Sequence, residues 1–464
     1  MDQPEGLNNE DFSATLIAAL ESAGEYETEY LSELEEFMPD LRKVRQAMEG
    51  QRFSASFACG GTIPLTDDPE SKATPRCVKI YWSLDDQEQA HKVILPLNNP
   101  STESSPPALQ RLITDCLPAT FGRGSEDVLD PNYRRAGKMD PEKFATTFHP
   151  ADAGILKVVE RILLPSISSK QGNFMKCRSL SAELYKLNVY SGPNGLFRPH
   201  VDTPRSVTQV GSLVVCLPSP FEGGDLLVRH HEKEMNFNWG SASSSTIQWA
   251  AFYSDCCHEI KTVTSGERIT LTYNLYASDP EPALAMASGR FLEPQTLPLY
   301  TQMEALFHNP RFLKRGGVIG IYCAHAYAHT SKTAAVDLAR TLKGSDLVFY
   351  SVLVSLGATV DIRPVLNAYD SQDEEEGEVV DLVGTELHRF VSTSASTEHD
   401  RFREIVTDDW PHHRLSGIIW LNRSHHNERA FSYIAYGNDA EVETCYSAAA
   451  ILAHIPSWES RRPQ

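Results

Sequence analysis

His200 and Asp202 stand two residues apart in the β-prone run Phe-Arg-Pro-His-Val-Asp-Thr (197–203). On a strand, residues i and i+2 point to the same face. One short strand could therefore offer an imidazole nitrogen and a carboxylate oxygen to a single metal ion. His258 follows fifty-six positions after Asp202, at the start of a later apolar segment. Two histidines and one carboxylate suit non-haem Fe(II), which keeps coordination positions open for ligands that react. A lone His-x-Asp occurs by chance in many chains, so the features that follow it carry the reading. Gly211–Leu217 reads as a buried strand, Glu222–Val228 as a turn and strand, and Ile247–Tyr253 as a third strand leading through a turn to His258. Arg268 lies ten residues past His258, and alternation places Arg268, Thr270 and Thr272 on one face of the run Glu267–Tyr276.

In this order of features the chain resembles the Fe(II)/2-oxoglutarate dioxygenases, and among them the prolyl 4-hydroxylase-like branch. The resemblance covers roughly 180–277. It implies a double-stranded β-helix (jelly-roll) core buttressed by helices, and the segments after Tyr276, which such a core does not need, read as a long C-terminal α/β extension, for an α+β chain as a whole. It implies His200, Asp202 and His258 as iron ligands and catalytic centre. It assigns Arg268 to the distal carboxylate of 2-oxoglutarate, Thr270 as its hydroxyl partner, and Tyr190 to the tyrosine found ten residues before the first ligand. Two departures stand out: Phe197 occupies a place often held by tyrosine, and Cys216 replaces a tyrosine of the third core strand. Fe(II), 2-oxoglutarate and O2 are the implied cofactor and co-substrates, with ascorbate as a supportive reductant. With Asp202 present, hydroxylation is the default outcome, and desaturation or ring closure are alternatives.

The elements that must position these residues are read as four regions: an acidic N-terminal helical arm (1–50), supporting strands and helices (51–180), the core (181–280) and the extension (281–464). Residues 1–40 hold twelve acidic residues and no Lys or Arg, which reads as a solvated helix face with a frayed tail. Cys77–Trp82 is the clearest early strand. Asn98–Pro107 reads as linker, Ala108–Leu117 as helix, Phe121–Tyr133 as loop, and Pro141–Phe148 as a short helix. Asp152–Leu164 has helical periodicity and is placed beneath the core sheet. In Leu184–Tyr190, alternation puts Lys186, Asn188 and Tyr190 on the cavity side and Tyr185, Leu187 and Val189 on the packed side. Lys186, Asn188, Arg205 and Tyr327 are the candidate substrate contacts. Further on, Cys323, His325, Tyr327 and His329 would share a face if extended, although no carboxylate accompanies them. Thr333–Leu342 and Ser345–Leu356 read as helices, Asp370–Glu378 as an acidic loop, and Ala440–Leu452 as mixed or helical.

Composition bounds the rest. A formal charge of −20 over 464 residues argues against a phosphate-tracking surface, so no nucleic-acid partner is expected. No run reads as a signal peptide or membrane span. Nine scattered cysteines without a Cys-x-x-Cys pair favour a reducing compartment, cytoplasmic or nuclear. The expected substrate is a protein or peptide of prolyl type. A small-metabolite tailoring oxygenase is the alternative, and a non-catalytic binding scaffold is the alternative of another class. Oligomeric state is not legible in the sequence.

Overall fold

A computed structural model describes residues 27–65, 77–84, 89–97, 107–123, 126–169, 174–278, 291–328, 334–369, 379–384, 412–414, 418–422, 431–432, 437–438 and 446–462. Its principal core strands are β1 (Ala58–Pro64), β2 (Ser179–Ser191), β3 (Gly195–His200), β4 (Gln209–Cys216), β5 (Phe221–Gly223), β6 (Leu226–His230), β7 (Lys233–Phe237), β8 (Thr246–Tyr253) and β9 (Cys257–Ser278). They form two antiparallel sheets that share β9. In the first, the order is β1–β8–β4–β9–β2, extended by Gly137–Met139 and Leu117–Pro118. In the second, the opening residues of β9 pair with β3, β5 and β6, and β6 pairs with β7.

The sequence dictates this arrangement through alternation. In β9, Ile269, Leu271, Tyr273 and Leu275 are buried on one face, while Arg268 and Thr270 are buried on the other. A strand buried on both faces lies between layers. The packed face of the first sheet meets the helix Ile155–Leu163, whose Ile155, Val159 and Leu163 recur at helical spacing and are buried. This is the buttress expected from the sequence.

A second layer stands beside the core. Its sheet runs His412–Arg414, Val379–Gly384, Thr359–Tyr369, Ala449–Ile455, Gly317–Tyr322, Ile418–Trp420, and is antiparallel except for the last pair. The helices Pro298–Phe307 and Gly344–Ser355 pack with it. So does the N-terminal helix Glu27–Ser54, whose Phe37, Leu41, Val44 and Met48 are buried in the same cluster. Residues 37–48 of the expected arm are therefore packed through a stripe at 37, 41, 44 and 48, while the side chains of 1–36 are not among those described. Other expectations are corrected as well. Ala449–Ile455 is a strand. Phe121–Arg123 and Glu126–Val128 form a small hairpin rather than loop. Pro141–Lys143 is one 3-10 turn leading into the strand Phe144–Thr146. The expected linker 98–106, the acidic loop 370–378 and His329 lie outside the described residues.

Core and second layer meet at a buried polar cluster. Asp255, in the turn between β8 and β9, accepts hydrogen bonds from Lys343 Nζ (2.8 Å), His325 Nδ1 (3.0 Å) and the Ala326 amide (3.1 Å). The His230 ring stacks on His325 at 4.0 Å. Tyr327 donates to Asp346 at 2.9 Å, and Tyr253 accepts from the Gly344 amide at 2.9 Å. Burial, with His230 close by, lowers the His325 pKa from its ordinary value to about 4, against the opposing pull of Asp255. Lys343 and His325 together hold the Asp255 carboxyl well below the usual carboxylate range, against the cost of its burial.

Two outcomes follow from this packing. Leu41→Ala should cost about 2–5 kcal/mol of stability in denaturant unfolding, as for a filled core position; a neutral result would return the helix to the status of an arm. The folded-state pKa of His325 lies below its unfolded value, so the unfolded chain takes the proton first. Its contribution is complete above the ordinary histidine range and is lost as pH falls toward about 4. His325→Gln should flatten the dependence of unfolding free energy on pH over that window, by up to about 1.4 kcal/mol per pH unit. An unchanged slope would remove His325 as its source.

Candidate metal centre and co-substrate pocket

Register brings the two histidines together. In the antiparallel pairing of β3 with β9, His200 stands directly opposite His258. Residues so placed are close cross-strand neighbours, and their rings lie 4.2 Å apart at an interplanar angle of 52°. Each ring has its Nδ1 engaged with a backbone carbonyl, His200 with Arg198 O at 2.9 Å and His258 with Cys256 O at 3.1 Å. Carbonyls only accept, so each Nδ1 carries the proton and each Nε2 presents a lone pair. Inclined ring planes intersect, which lets the two lone pairs converge. Burial, and His258 beside it, push the His200 pKa well below its ordinary value. The imidazole is thereby held neutral, as a metal ligand must be.

Asp202 completes the set, although not as the alternation of a single strand would have it. β3 ends at His200, and Asp202 lies just beyond the ladder. Its Oδ1 is 3.7 Å from His258 Nε2, and the ligand atoms of His200, Asp202 and His258 all lie within 4.8 Å of one another. Hydrogen bonds hold the carboxylate in place of a ladder: Ser212 Oγ donates to Oδ2 at 2.5 Å and Asn438 Nδ2 donates to Oδ1 at 2.7 Å. Phe197 stacks on His200 at 3.5 Å and Phe252 lies 4.5 Å from the His258 ring, so each imidazole has an aromatic ring beside it.

The first sheet supplies the facing wall. β2 pairs with β9 so that Tyr190 stands opposite Arg268, Asn188 opposite Thr270 and Lys186 opposite Thr272. Tyr190, Asn188, Arg268, Thr270 and Thr272 line one cavity of about 50 Å³ with the three candidate ligands. Arg268 is fully buried, and its Nε, Nη1 and Nη2 have no hydrogen-bond partner among the described residues. Its guanidinium carbon lies 5.5 Å from the Tyr190 ring and 5.2 Å from the Trp239 ring. Aromatic faces favour a cation but leave its N–H fork unused. A buried charge without a partner is strongly unfavourable. This fork matches the two oxygens of a carboxylate, which fits the donor set to an organic acid bound across the cavity from a metal.

The remaining sequence-chosen residues divide. Asn188 lines the cavity, accepts from Arg134 Nη2 at 3.0 Å and donates to Thr272 Oγ1 at 3.2 Å. Lys186 is buried, but its ammonium turns to the Tyr185 hydroxyl at 2.7 Å. Arg205 is exposed and reaches the same hydroxyl at 3.1 Å. Tyr185 itself lines the cavity, contrary to the strict alternation expected of it. A β-bulge between Leu184 and Lys186 inserts one residue and re-aims the ring. Tyr327 is displaced from its expected role. The strand Gly317–Tyr322 ends before it, and Tyr327 is buried in the second layer with its hydroxyl on Asp346. Three contributors were missed. Ser212 was hidden in an apolar run. Arg134 follows a stretch read as loop, and its guanidinium stacks on Phe197 at 4.3 Å. Asn438 lies 236 positions beyond Asp202 in the chain and carries no local signal.

A second group of potential ligands, His230, Asp255 and His325, is found among the described residues. The His230 and His325 rings are stacked within 11° of parallel. Imidazole lone pairs lie in the ring plane, so superposed parallel rings cannot aim at one ion. Lys343 already holds Asp255. That cluster is a packing device. A larger groove of about 1060 Å³ opens beside it and contains none of the triad. Its cations Arg45, Arg52 and Lys233 donate to backbone carbonyls, including Leu421 O, Tyr322 O and Phe53 O, and thereby stitch the N-terminal helix to its neighbours.

No protein-family model matches the chain, and no curated protein matches it. Among solved structures, it is similar to a Pseudomonas putida prolyl-4-hydroxylase, at 17% identity over 36% of this chain and 80% of that one, with a TM-score of 0.23. It is similar to an oxidoreductase of the 2OG-Fe(II) oxygenase family from Burkholderia pseudomallei, at 15% identity over 36% of this chain and 76% of that one, TM-score 0.22. It is also similar to a Trichoplax adhaerens prolyl hydroxylase in complex with a hypoxia inducible factor oxygen degradation domain peptide fragment, at 14% identity over 36% of this chain and 74% of that one, TM-score 0.22. At these identities and scores the likeness alone assigns no activity to this chain.

Proposed function

We propose that the protein is an Fe(II)- and 2-oxoglutarate-dependent oxygenase whose two sheets form a double-stranded β-helix. The observation that carries the reading is the buried, unpartnered Arg268 fork sharing one cavity with His200, Asp202 and His258. The three ligand groups would hold the iron through His200 Nε2, His258 Nε2 and the Asp202 carboxylate. Arg268 would take the far carboxylate of 2-oxoglutarate, with the Thr270 hydroxyl and the Tyr190 ring beside it. When bound, iron and co-substrate supply O2-dependent oxidation of an unactivated C–H bond, with release of succinate and CO2. The chain's own residues bind, orient and exclude water. Arg268 sets the reach of the acid, the Nδ1–carbonyl contacts fix both imidazoles, and Phe197 and Phe252 keep the centre dry. Asp202 fills the position that would otherwise remain open to an added anion, which favours hydroxylation.

We infer a protein or peptide substrate of prolyl type. The resemblance of residues 180–277 to the prolyl 4-hydroxylase-like branch supports this reading. The charge of −20 disfavours a nucleic-acid substrate. Among the described residues every cysteine is free and no helix is long and apolar enough to cross a membrane. A reducing compartment, cytoplasmic or nuclear, suits those thiols.

Purified protein given Fe(II), ascorbate and 2-oxoglutarate should release succinate, and a peptide pool should stimulate this more than a metabolite extract. His200→Ala should reduce release to background. Arg268→Ala should raise the KM for 2-oxoglutarate by about 10–100-fold, the range for a charged hydrogen-bonded pair. Release that persists unchanged in His200→Ala would sink the reading; stimulation by metabolites alone would overturn the substrate class.

A further inference from the structure

We propose that Asn438, supplied by the C-terminal part of the chain, is a positioning residue for the iron ligand Asp202. The inference rests on the iron reading above and extends it. Asp202 lies past the end of β3, beside the single parallel bridge of Val201 with Gly437. Its carboxylate can turn about two side-chain torsions, so its orientation must come from hydrogen bonds. Ser212 fixes Oδ2 and Asn438 fixes Oδ1, the oxygen nearer His258.

The Asn438 amide does two things at once. Nδ2 donates to Asp202 Oδ1 at 2.7 Å, while Oδ1 accepts the amide of Thr203, the next residue along, at 3.0 Å. One planar group therefore ties the Asp202 side chain to the backbone that follows it. The pairing also assigns the amide's orientation, because only Oδ1 can accept from the Thr203 N–H and only Nδ2 can donate to a carboxylate. A donor on Oδ1 leaves a second lone pair on that oxygen for a metal.

Asn438 is itself held. It is 7% exposed, and Arg134 Nη1 donates to its backbone carbonyl at 3.3 Å. Gly437 exchanges two backbone hydrogen bonds with Gly122, at 3.0 and 2.9 Å, and bridges Val201 in parallel. The pair 437–438 is thus anchored to the hairpin Phe121–Arg123 on one side and to the residue between His200 and Asp202 on the other. By this reading the C-terminal part completes the centre, and residues 181–280 alone would hold the metal loosely.

Co(II) is the probe, added to the full chain and followed by its visible absorption. Wild type should bind it, with bands that His200→Ala abolishes. Asn438→Ala should raise the Co(II) dissociation constant by about 10–100-fold, the range for loss of a group that orients a ligand. It should also shift the bands as Asp202 gains freedom, while the metal-free protein melts near wild type. Should Asn438→Ala melt early, Asn438→Ser carries the comparison, since its side chain is polar but too short to reach Asp202. Affinity and bands equal to wild type in the folded variant would overturn the role of Asn438 and leave the iron reading standing. No Co(II) binding by wild type, or binding indifferent to His200→Ala, would overturn both.

Discussion

The bend in β9 is the constraint on which the site depends. Twenty-two residues at about 3.3 Å each would make a strand of roughly 70 Å if straight, too long for one sheet of this core. The strand turns at Gly266, whose φ of +74° lies in the left-handed region. A Cβ there would strike the Pro220 and Phe221 backbone, so glycine is required by conformation and by space. Before the turn β9 belongs to one sheet and carries His258; after it β9 belongs to the other and carries Arg268. β9 shifts register against β3 and β5 before the turn, so alternation does not run unbroken from His258 to Arg268, and it is the bend that brings both to one cavity. A spacing that looks like a motif in the sequence is the arc length of this corner.

What stands in that cavity is costly to fold. A guanidinium at 0% exposure without a hydrogen bond, two facing imidazoles and a carboxylate would each be better solvated in the unfolded chain. Flat apolar rings surround them and satisfy none of the N–H groups of Arg268. Such an arrangement persists because the rest of the core, from Leu213 to Tyr273, is densely apolar. Local instability of this kind accompanies binding sites, since groups that a ligand will satisfy must be left unsatisfied without it. The junction cluster is the informative contrast. There Lys343 and His325 are buried against the carboxylate of Asp255, but their charged and polar atoms have one another. Similar residue types thus form a closed network in one place and an open one in the other.

How much could be read from the sequence divides along the same physical line. The His200, His258 and Arg268 positions were legible because ligand-type residues fall at short offsets within β-prone runs, offsets that the register shifts of β3 against β9 do not hide. The strands around them were legible as apolar runs bounded by turn residues, though Lys233–Phe237, with only two apolar residues, was not singled out. Tyr185 was misplaced because a bulge costs no sequence signature, yet it turns a side chain across the sheet. Tyr327 was misplaced because the apolar run from Gly316 reads as one long strand, whereas the chain turns after Tyr322 to present His325 and Ala326 to Asp255. The N-terminal helix was read by its charge instead of by the four apolar residues that pack.

Asn438 belongs to a class that no local pattern can reveal, because its role is defined by partners distant in sequence. Those partners, Asp202, Thr203 and Arg134, come from two parts of the chain that fold into the core. The second layer is also fastened to the core by Lys343 and Gly344, through Asp255 and Tyr253. Asp255 is three residues before His258, and Asn438 touches Asp202. The second layer therefore braces the turn that leads into His258, while Asn438 braces the residues that follow His200, so both proposed histidine ligands are flanked by contacts from outside residues 181–280.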